Sequence, residues 1–391
     1  MGKESNQVPA RDVSEIKEQL LRIRDWLGPA GNVQLTDGEV TLRPEAELLE
    51  LVAYARGVGL VPMVMTHGET FRRRPGLLER LMEGGLTEIS IHIDTTMKGR
   101  RGHSSRAACE EDLMALRSEF GGMIRRARRN TGLRLEAAST VTVTRDNLEG
   151  VPSIMRWFLK NADAFKMVSF QPAAQVGRTE PGLGGGVSPD DLWTRIAEGV
   201  LGSAPKRHEL LRGEGWFGHP ACSRFVQGLI VRRSGNEPRF HPLYRRDRED
   251  EMRFVSALLD RLGGASFRLD GAARAAARVL QILSSHPGFI LGSALPYAWR
   301  LLERAGGGRA ERLLLDWLTG RTEVRYFNIV SHHFMSREEI ETPPGQERLS
   351  MCAFQVPVHG MLMSMCAVNA LGARQEYHAR TQGLESLSVQ S

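Results

Sequence analysis

The chain has 391 residues, of which 41% are hydrophobic and 25% charged, and a formal net charge of +6. This is the composition of an ordinary globular protein with a large core, divided into two domains or a barrel with an appendage. Four cysteines make no disulfide framework, no apolar run is long enough to cross a bilayer, and the mild positive excess is too diffuse to mark a nucleic-acid surface. The opening MGKESNQVPA does not read as a secretory signal, so a cytoplasmic protein is expected.

Residues 12–27 space Val13, Ile16, Leu20, Ile23 and Leu27 as one face of a helix. A strand over Val33 to Thr36 follows, ending in "DGE". Pro44 opens a second helix, and Gly57 and Gly59 stop it. "LVPMVMTHG" reads as a strand, 75–84 as a short helix, and "EISIHID" as the next strand. A long basic helix is expected from about Ser105 to Asn130, then the strand "LRLEAASTVTVT", a helix from Asn147, and "KMVSFQPAAQVGRT". Five strands separated by helices imply a parallel sheet with right-handed crossovers. Their apolar character suggests that both faces are covered.

"EPGLGGGVSPDD" is the best boundary, dividing 1–180 from 181–391. Beyond it the pattern is mixed α and β. Helices are expected near 190–201, 250–262, 270–285 and 308–319, and strands near 226–232, 324–330 and 361–366.

Parallel α/β folds bind ligands at the carboxyl ends of their strands. Those ends are polar here in every unit. They carry Asp37, Gly38 and Glu39, then Thr66, then His92 and Asp94, then Thr142 with Asn147 beyond it, and finally Gln171 with Arg178 shortly after. Glu39 suits a ligand ammonium and Arg178 a ligand carboxylate. The plainer alternative is that the aspartates cap helices and the threonines simply suit strands.

The order "TDGE", "MTHG", "SIHID", "TVTVTRDN", "FQPAAQVGR" resembles the core of the radical S-adenosylmethionine (radical SAM) family over about residues 12–180. The resemblance implies a partial (β/α)6 TIM-like barrel. "DGE" looks like the family's Gly-Gly-Glu motif, which would set Asp37, Gly38 and Glu39 at the methionine end of SAM. By the same resemblance His92 approaches the ribose, Thr142 and Asn147 lie near the ribose or adenine, and Arg178 lies near the carboxylate. A reduced [4Fe–4S] cluster, an electron donor such as flavodoxin or ferredoxin, and a small-molecule or lipid-like substrate complete what it implies.

The sequence departs from that family in having no Cys-x3-Cys-x2-Cys and no strand before it. "VQLT" would then be an unpaired sheet edge, which natural proteins usually cover. The chain is therefore expected to be an N-terminally truncated form of such an enzyme. The alternatives are a cluster-less SAM-binding partner protein, or a SAM-independent barrel enzyme using His92 and Asp94 as acid and base.

The second half carries "HPAC", with His219 and Cys222, and "MCAFQVPVHGMLMSMCAVN", with Cys352 and Cys366 around a hairpin at His359-Gly360. This resembles the subgroup containing tetraether lipid synthase and pterin-modifying methylases, which bind auxiliary iron–sulfur clusters. It implies a cluster on Cys222, Cys352 and Cys366, with His219 or an exogenous ligand in the fourth place. Three inert buried thiols are the alternative. His332 and His333, adjacent on an extended segment, make a poor metal pair and suit a substrate-facing or structural role. "RRARRN" reads as a solvated helix face, or else as a surface for phosphate, membrane or RNA.

Overall fold

The computed structural model describes residues 11–36, 38–97, 107–174, 186–262, 272–358 and 360–373. Asp37, Arg178 and His359 lie outside them. The first half alternates strands and helices as expected. Helix α1 (Val13–Leu27) is capped by Asp12, which accepts from Ser14 N at 2.7 Å, and ends at Gly28 with φ 74°. Then come β1 (Asn32–Leu35), α2 (Glu45–Gly57), β2 (Val61–Thr66), α3 (Glu69–Arg73), α4 (Leu77–Glu83) and β3 (Glu88–His92). After these come α5 (Met114–Thr131), β4 (Glu136–Val143), α6 (Val151–Lys160), β5 (Met167–Pro172) and α7 (Pro189–Leu201).

The long basic helix is shorter than its expected span. It begins at Met114, because Asp112 accepts from the Ala108 and Cys109 amides and folds 110–113 into a 3-10 turn. The basic run inside it is only half solvated. Arg125 pairs with Asp163, and Arg128 donates to the carbonyls of Leu135, Asp163 and Ala164. These two guanidiniums fasten α5 to the loops after it, while Arg126 and Arg129 are exposed.

The remaining strands are β6 (Glu214–Gly215), β7 (Ser223–Arg233), β8 (Arg239–Pro242), β9 (Thr322–His332), β10 (Gln355–Val358) and β11 (Met361–Ser364). β10 and β11 form the expected antiparallel hairpin, and the second strand stops at Ser364 because that serine caps the helix Met365–Ala370. Strand β8 and helix Leu295–Gly306 have no counterpart among the expected elements.

One mixed sheet runs in the order β1-β2-β3-β4-β5-β9-β7-β6, with β8 paired to β7. The first six strands of that order are parallel, and β7 is antiparallel to β9. The sheet is open among the described residues, with β1 at one edge paired to β2 alone. It also crosses the expected domain boundary without a break, because β9 pairs directly with β5. Helix α7 is bound to it across that boundary: the fully buried Trp193 donates Nε1 to Ser331 Oγ at 2.9 Å.

The register separates the two faces. Val33, Val64, Ile89, Ile91, Val141, Val168, Phe170 and Ile329 share one face and are all buried in the main core. Sequential parallel strands with right-handed crossovers bring their helices to one side, so this is the helix-covered face. The opposite face carries Gln34, Ser90, His92, Thr140, Thr142, Ser169, Gln171 and Asn328. Both faces are largely covered, as expected, since Met63, Ala138, Thr140, Ser169 and Val330 on this second face are buried too, but the two faces differ in polarity. Several residues of this second face are only half-buried, and His92, Thr142 and Gln171 project from it at the strand ends, whereas Thr66 lies on the covered face with Ile91.

Candidate functional site

At the carboxyl end of β1, Glu39 is almost wholly engaged inside the protein. Its carboxylate accepts from Thr41 N at 3.2 Å, Thr41 Oγ1, Thr66 Oγ1 at 2.5 Å and His67 N at 2.8 Å. His67 Nε2 lies 3.3 Å away, and the Glu39 side chain is 7% exposed. Three of these donors converge on Oε1, and Oε2 accepts from the His67 amide. This carboxylate has a structural task. It braces the loop after β1 against the end of β2. Thr66 continues the brace by accepting from Gly68 N at 2.9 Å.

His92 and Asp94 meet at the end of β3. His92 Nε2 lies 2.5 Å from Asp94 Oδ2 and 3.1 Å from Thr142 Oγ1. Asp94 also accepts from Thr142 N at 2.6 Å, Thr96 N at 2.9 Å and Thr96 Oγ1 at 2.6 Å. Burial alone would raise the Asp94 carboxyl, but the His92 charge and the bonds from His92, Thr96 and Thr142 outweigh it and hold it at about 2. So firmly ionised and saturated a carboxylate orients its histidine and is a poor base. The His92 ring is partly exposed, with 27% of its side-chain surface open.

Asn147 is placed by the same β4 end but faces inward. Its Nδ2 donates to Glu110 Oε1 and Thr142 O, both at 2.9 Å, and its Oδ1 accepts from Thr144 N at 2.7 Å. Its role is to hold the turn after β4. Glu110 and its partner Arg117 were not among the expected site residues. Arg117 donates to Glu110 Oε2 at 2.5 Å, Glu110 O at 2.8 Å and Ile93 O at 3.0 Å. The sequence did hold a signal: Arg117 falls on the apolar stripe of α5 with Leu113, Leu116, Phe120 and Ile124, where a charge needs a buried partner.

Gln171 stands on the polar face beside Thr142, its register partner. The next parallel strand, β9, ends in His332, one step past the Phe170–Ser331 pair. His92, Thr142, Gln171 and His332 thus make a stepped row across β3, β4, β5 and β9 at the carboxyl edge. His332 is 8% exposed, and its Nδ1 is buried without a hydrogen-bond partner. Burial, with the neighbouring His333, pushes it down to about 4. Its ring is walled edge-on by Phe217 at 5.4 Å and Phe354 at 4.7 Å, centroid to centroid.

Those walls come from the two cysteine loops. Arg348 Nε donates to Cys222 Sγ at 3.2 Å, Cys352 Sγ donates to Phe354 O at 3.2 Å, and Met335 N donates to Cys366 Sγ at 3.5 Å. The two cysteine loops pack against each other, with the Phe217 and Phe354 rings 5.9 Å apart. Burial pushes Cys366 up to about 11. His219 closes a turn, its Nδ1 accepting from Ala221 N at 3.1 Å and its carbonyl from Cys222 N at 2.9 Å. Among the described residues, no three His, Cys, Asp or Glu side chains are set to hold a single metal ion. The expected four-ligand set is thus not assembled as a one-metal site.

Fold and site together define a mixed α/β protein, its sheet mostly parallel, with polar residues along its strand carboxyl ends. Among the described residues, no helix is long and apolar enough to cross a membrane. No protein-family model matches the chain, and no curated protein matches it. Among solved structures, it is similar to a citrate synthase variant, SbnG, with 10% identity and a TM-score of 0.24. That match covers 51% of this chain and 65% of the other, just under two thirds of its length.

Proposed function

We propose that the chain is a protein of radical SAM type. In this reading SAM lies over the polar face at the carboxyl ends of β1 to β5, and an auxiliary iron–sulfur cluster sits on Cys222, Cys352 and Cys366 just beyond β9. The observation that carries the reading is the stepped row of His92, Thr142, Gln171 and His332 on consecutive parallel strands, with the two cysteine loops packed at its end. Sequential parallel strands with a polar inner end are what a partial (β/α)6 barrel requires. His92 and Thr142 supply paired hydrogen-bonding groups suited to ribose hydroxyls. Glu39 holds the loop that would surround the methionine end. The three thiols have the soft donor chemistry that iron–sulfur clusters select. The family's reduced [4Fe–4S] cluster, whose Cys-x3-Cys-x2-Cys ligands this sequence does not contain, would supply the electron that splits SAM to methionine and a 5′-deoxyadenosyl radical. Flavodoxin or ferredoxin would be its donor, and a small or lipid-like molecule the substrate.

A second reading has its own support. The sequence contains no Cys-x3-Cys-x2-Cys, which favours a SAM-binding partner protein without radical chemistry of its own.

Equilibrium dialysis with SAM, and anaerobic reconstitution with iron and sulfide, test both. Saturable SAM binding that weakens in His92→Ala, and iron that is lost in Cys222→Ala, support the first reading. SAM bound but left uncleaved under dithionite supports the second. A chain that binds no SAM overturns both, and a Cys222→Ala variant that keeps the parent's iron removes the auxiliary cluster.

A further inference from the structure

A cavity of about 480 Å³ opens at the far end of β7 from the thiols. Ser223 of β7 is level with His332, whereas Arg233 is level with Thr322. Ten residue steps of strand separate the two ends, roughly 30 Å. The cavity therefore belongs to neither the strand-end polar row nor the cysteine loops. Its volume is in the range of small-ligand pockets, roughly 300–1,000 Å³.

The charges around it are one-sided. Five arginines line it, namely Arg233, Arg239, Arg304, Arg309 and Arg312, against the single carboxylate of Glu237. That carboxylate is turned to Lys160, which it meets at 2.9 Å. Arg304 is anchored by Glu251 and by the carbonyls of Pro242 and Leu243, yet its Nε is buried without a partner. Arg312 reaches Asp316 only at 3.8 Å. Arg233, Arg239 and Arg309 have no side-chain hydrogen bond or ion pair among the described residues. Five guanidiniums held around one cavity repel one another unless an anion joins them.

Two further features suit an anion with several oxygens. His241, also on the wall, keeps Nε2 buried without a partner. Burial together with Arg304, Arg239 and Arg245 drives its pKa down to about 4, as a strongly positive surrounding should. The wall at Gly307, whose φ is 66°, has no atom within 4 Å of where a Cβ would stand, so no side chain narrows the cavity there. This wall leads into the helix Ala310–Leu318, whose N-cap, Arg309, offers no side-chain cap to the first amides.

We infer that this cavity binds a small molecule through two or more linked phosphate groups. Guanidinium forks match phosphate oxygens in pairs, and the pocket offers several forks at once. A carboxylate ligand would use fewer of them.

The test is calorimetric titration of the full chain with inorganic pyrophosphate, orthophosphate and malonate. Saturable binding is expected, tightest for pyrophosphate. Arg239→Ala with Arg309→Ala should weaken pyrophosphate by about tenfold or more, because each loses charged hydrogen bonds. Arg239→Lys should recover part of that loss, since it keeps the charge but not the fork. Both arginines are exposed, so an unchanged melting curve separates lost binding from lost folding. Arg126→Ala with Arg129→Ala, on exposed α5 positions that do not line the cavity, should leave the affinity unchanged. Absence of saturable pyrophosphate binding would overturn the inference. So would an equal loss in the α5 control, or malonate binding as tightly as pyrophosphate.

Discussion

Arg117 and Glu110 face each other with no side-chain surface exposed on either, joined at 2.5 Å. The pair lies directly beneath the site. Glu110 also accepts from Thr95 N at 2.9 Å and from Asn147 Nδ2 at 2.9 Å, so it fixes the loops after both β3 and β4. A buried pair of this kind adds little net stability over a well-packed apolar pair, but it sets geometry and is costly to break.

Removing one partner should therefore be severe. Glu110→Gln strands the Arg117 charge and should destabilise the fold by about 3–5 kcal/mol, read as a lowered urea midpoint. Replacing both, as Glu110→Leu with Arg117→Leu, should recover much of that loss. A single variant within 1 kcal/mol of the parent would show that the charge is satisfied elsewhere (an unpaired buried charge costs about 3 kcal/mol or more).

Asp94 should shape the acid limb of stability. Its carboxyl is held below the ordinary value of 3.8, at about 2, although burial opposes this. The ionised form is thus favoured by folding. Its stabilisation is complete above the unfolded value and is lost as pH falls from near 4 toward 2. That depression corresponds to on the order of 2 kcal/mol. Asp94→Asn should flatten the stability curve across that window. His92→Gln should move the Asp94 titration upward, because it removes the leading cause of the depression. Carbon-detected NMR of the Asp94 carboxyl reads this directly, and an unmoved titration in His92→Gln would contradict it.

Much of this arrangement could be read from the chain alone. Periodicity and glycine stops located most of the helices and strands up to β5, because each buries an apolar stripe that local spacing reveals, whereas the five-residue α3 had no counterpart among the expected elements. The strand ends were legible because polar residues close every apolar run. What each side chain does there was not legible. Glu39 faces inward because Thr41, Thr66 and the His67 amide converge on it, and that depends on how β1 and β2 align. The insertion of β9 beside β5 joins residues far apart in sequence, so neither the continuous sheet nor the place of His332 beside Gln171 had a local signal.

The cysteines should differ sharply in reactivity. Cys109 is exposed, whereas Cys366 is 6% exposed and raised to about 11 by burial. Thiolate is the reactive form. Iodoacetamide at about pH 8 should therefore label Cys109 first and Cys366 last in the native chain, read by peptide mass spectrometry. Equal rates would mean that the helix Met365–Ala370 opens readily.

Two glycines in helices should respond to alanine with opposite signs. Glycine within a helix costs roughly 0.5–1 kcal/mol relative to alanine, so a site with free space gains from the change. Gly57, exposed at the end of α2, has no atom within 4 Å of where a Cβ would stand, and Gly57→Ala should stabilise by up to ~1 kcal/mol. Gly199 is different, because α7 crosses α6 there. A Cβ would stand 2.6 Å from Met155 Cβ, 2.7 Å from Pro152 O and 2.9 Å from Pro152 Cα. Backbone atoms cannot swing aside, so the helices must separate, at about 1–3 kcal/mol for overpacking. That exceeds the propensity gain, and Gly199→Ala should lower the melting temperature while Gly57→Ala raises it. If both variants were stabilised, α6 and α7 would have to pack less closely than these distances require, and the bond from Trp193 to Ser331 would no longer fix α7 over the sheet.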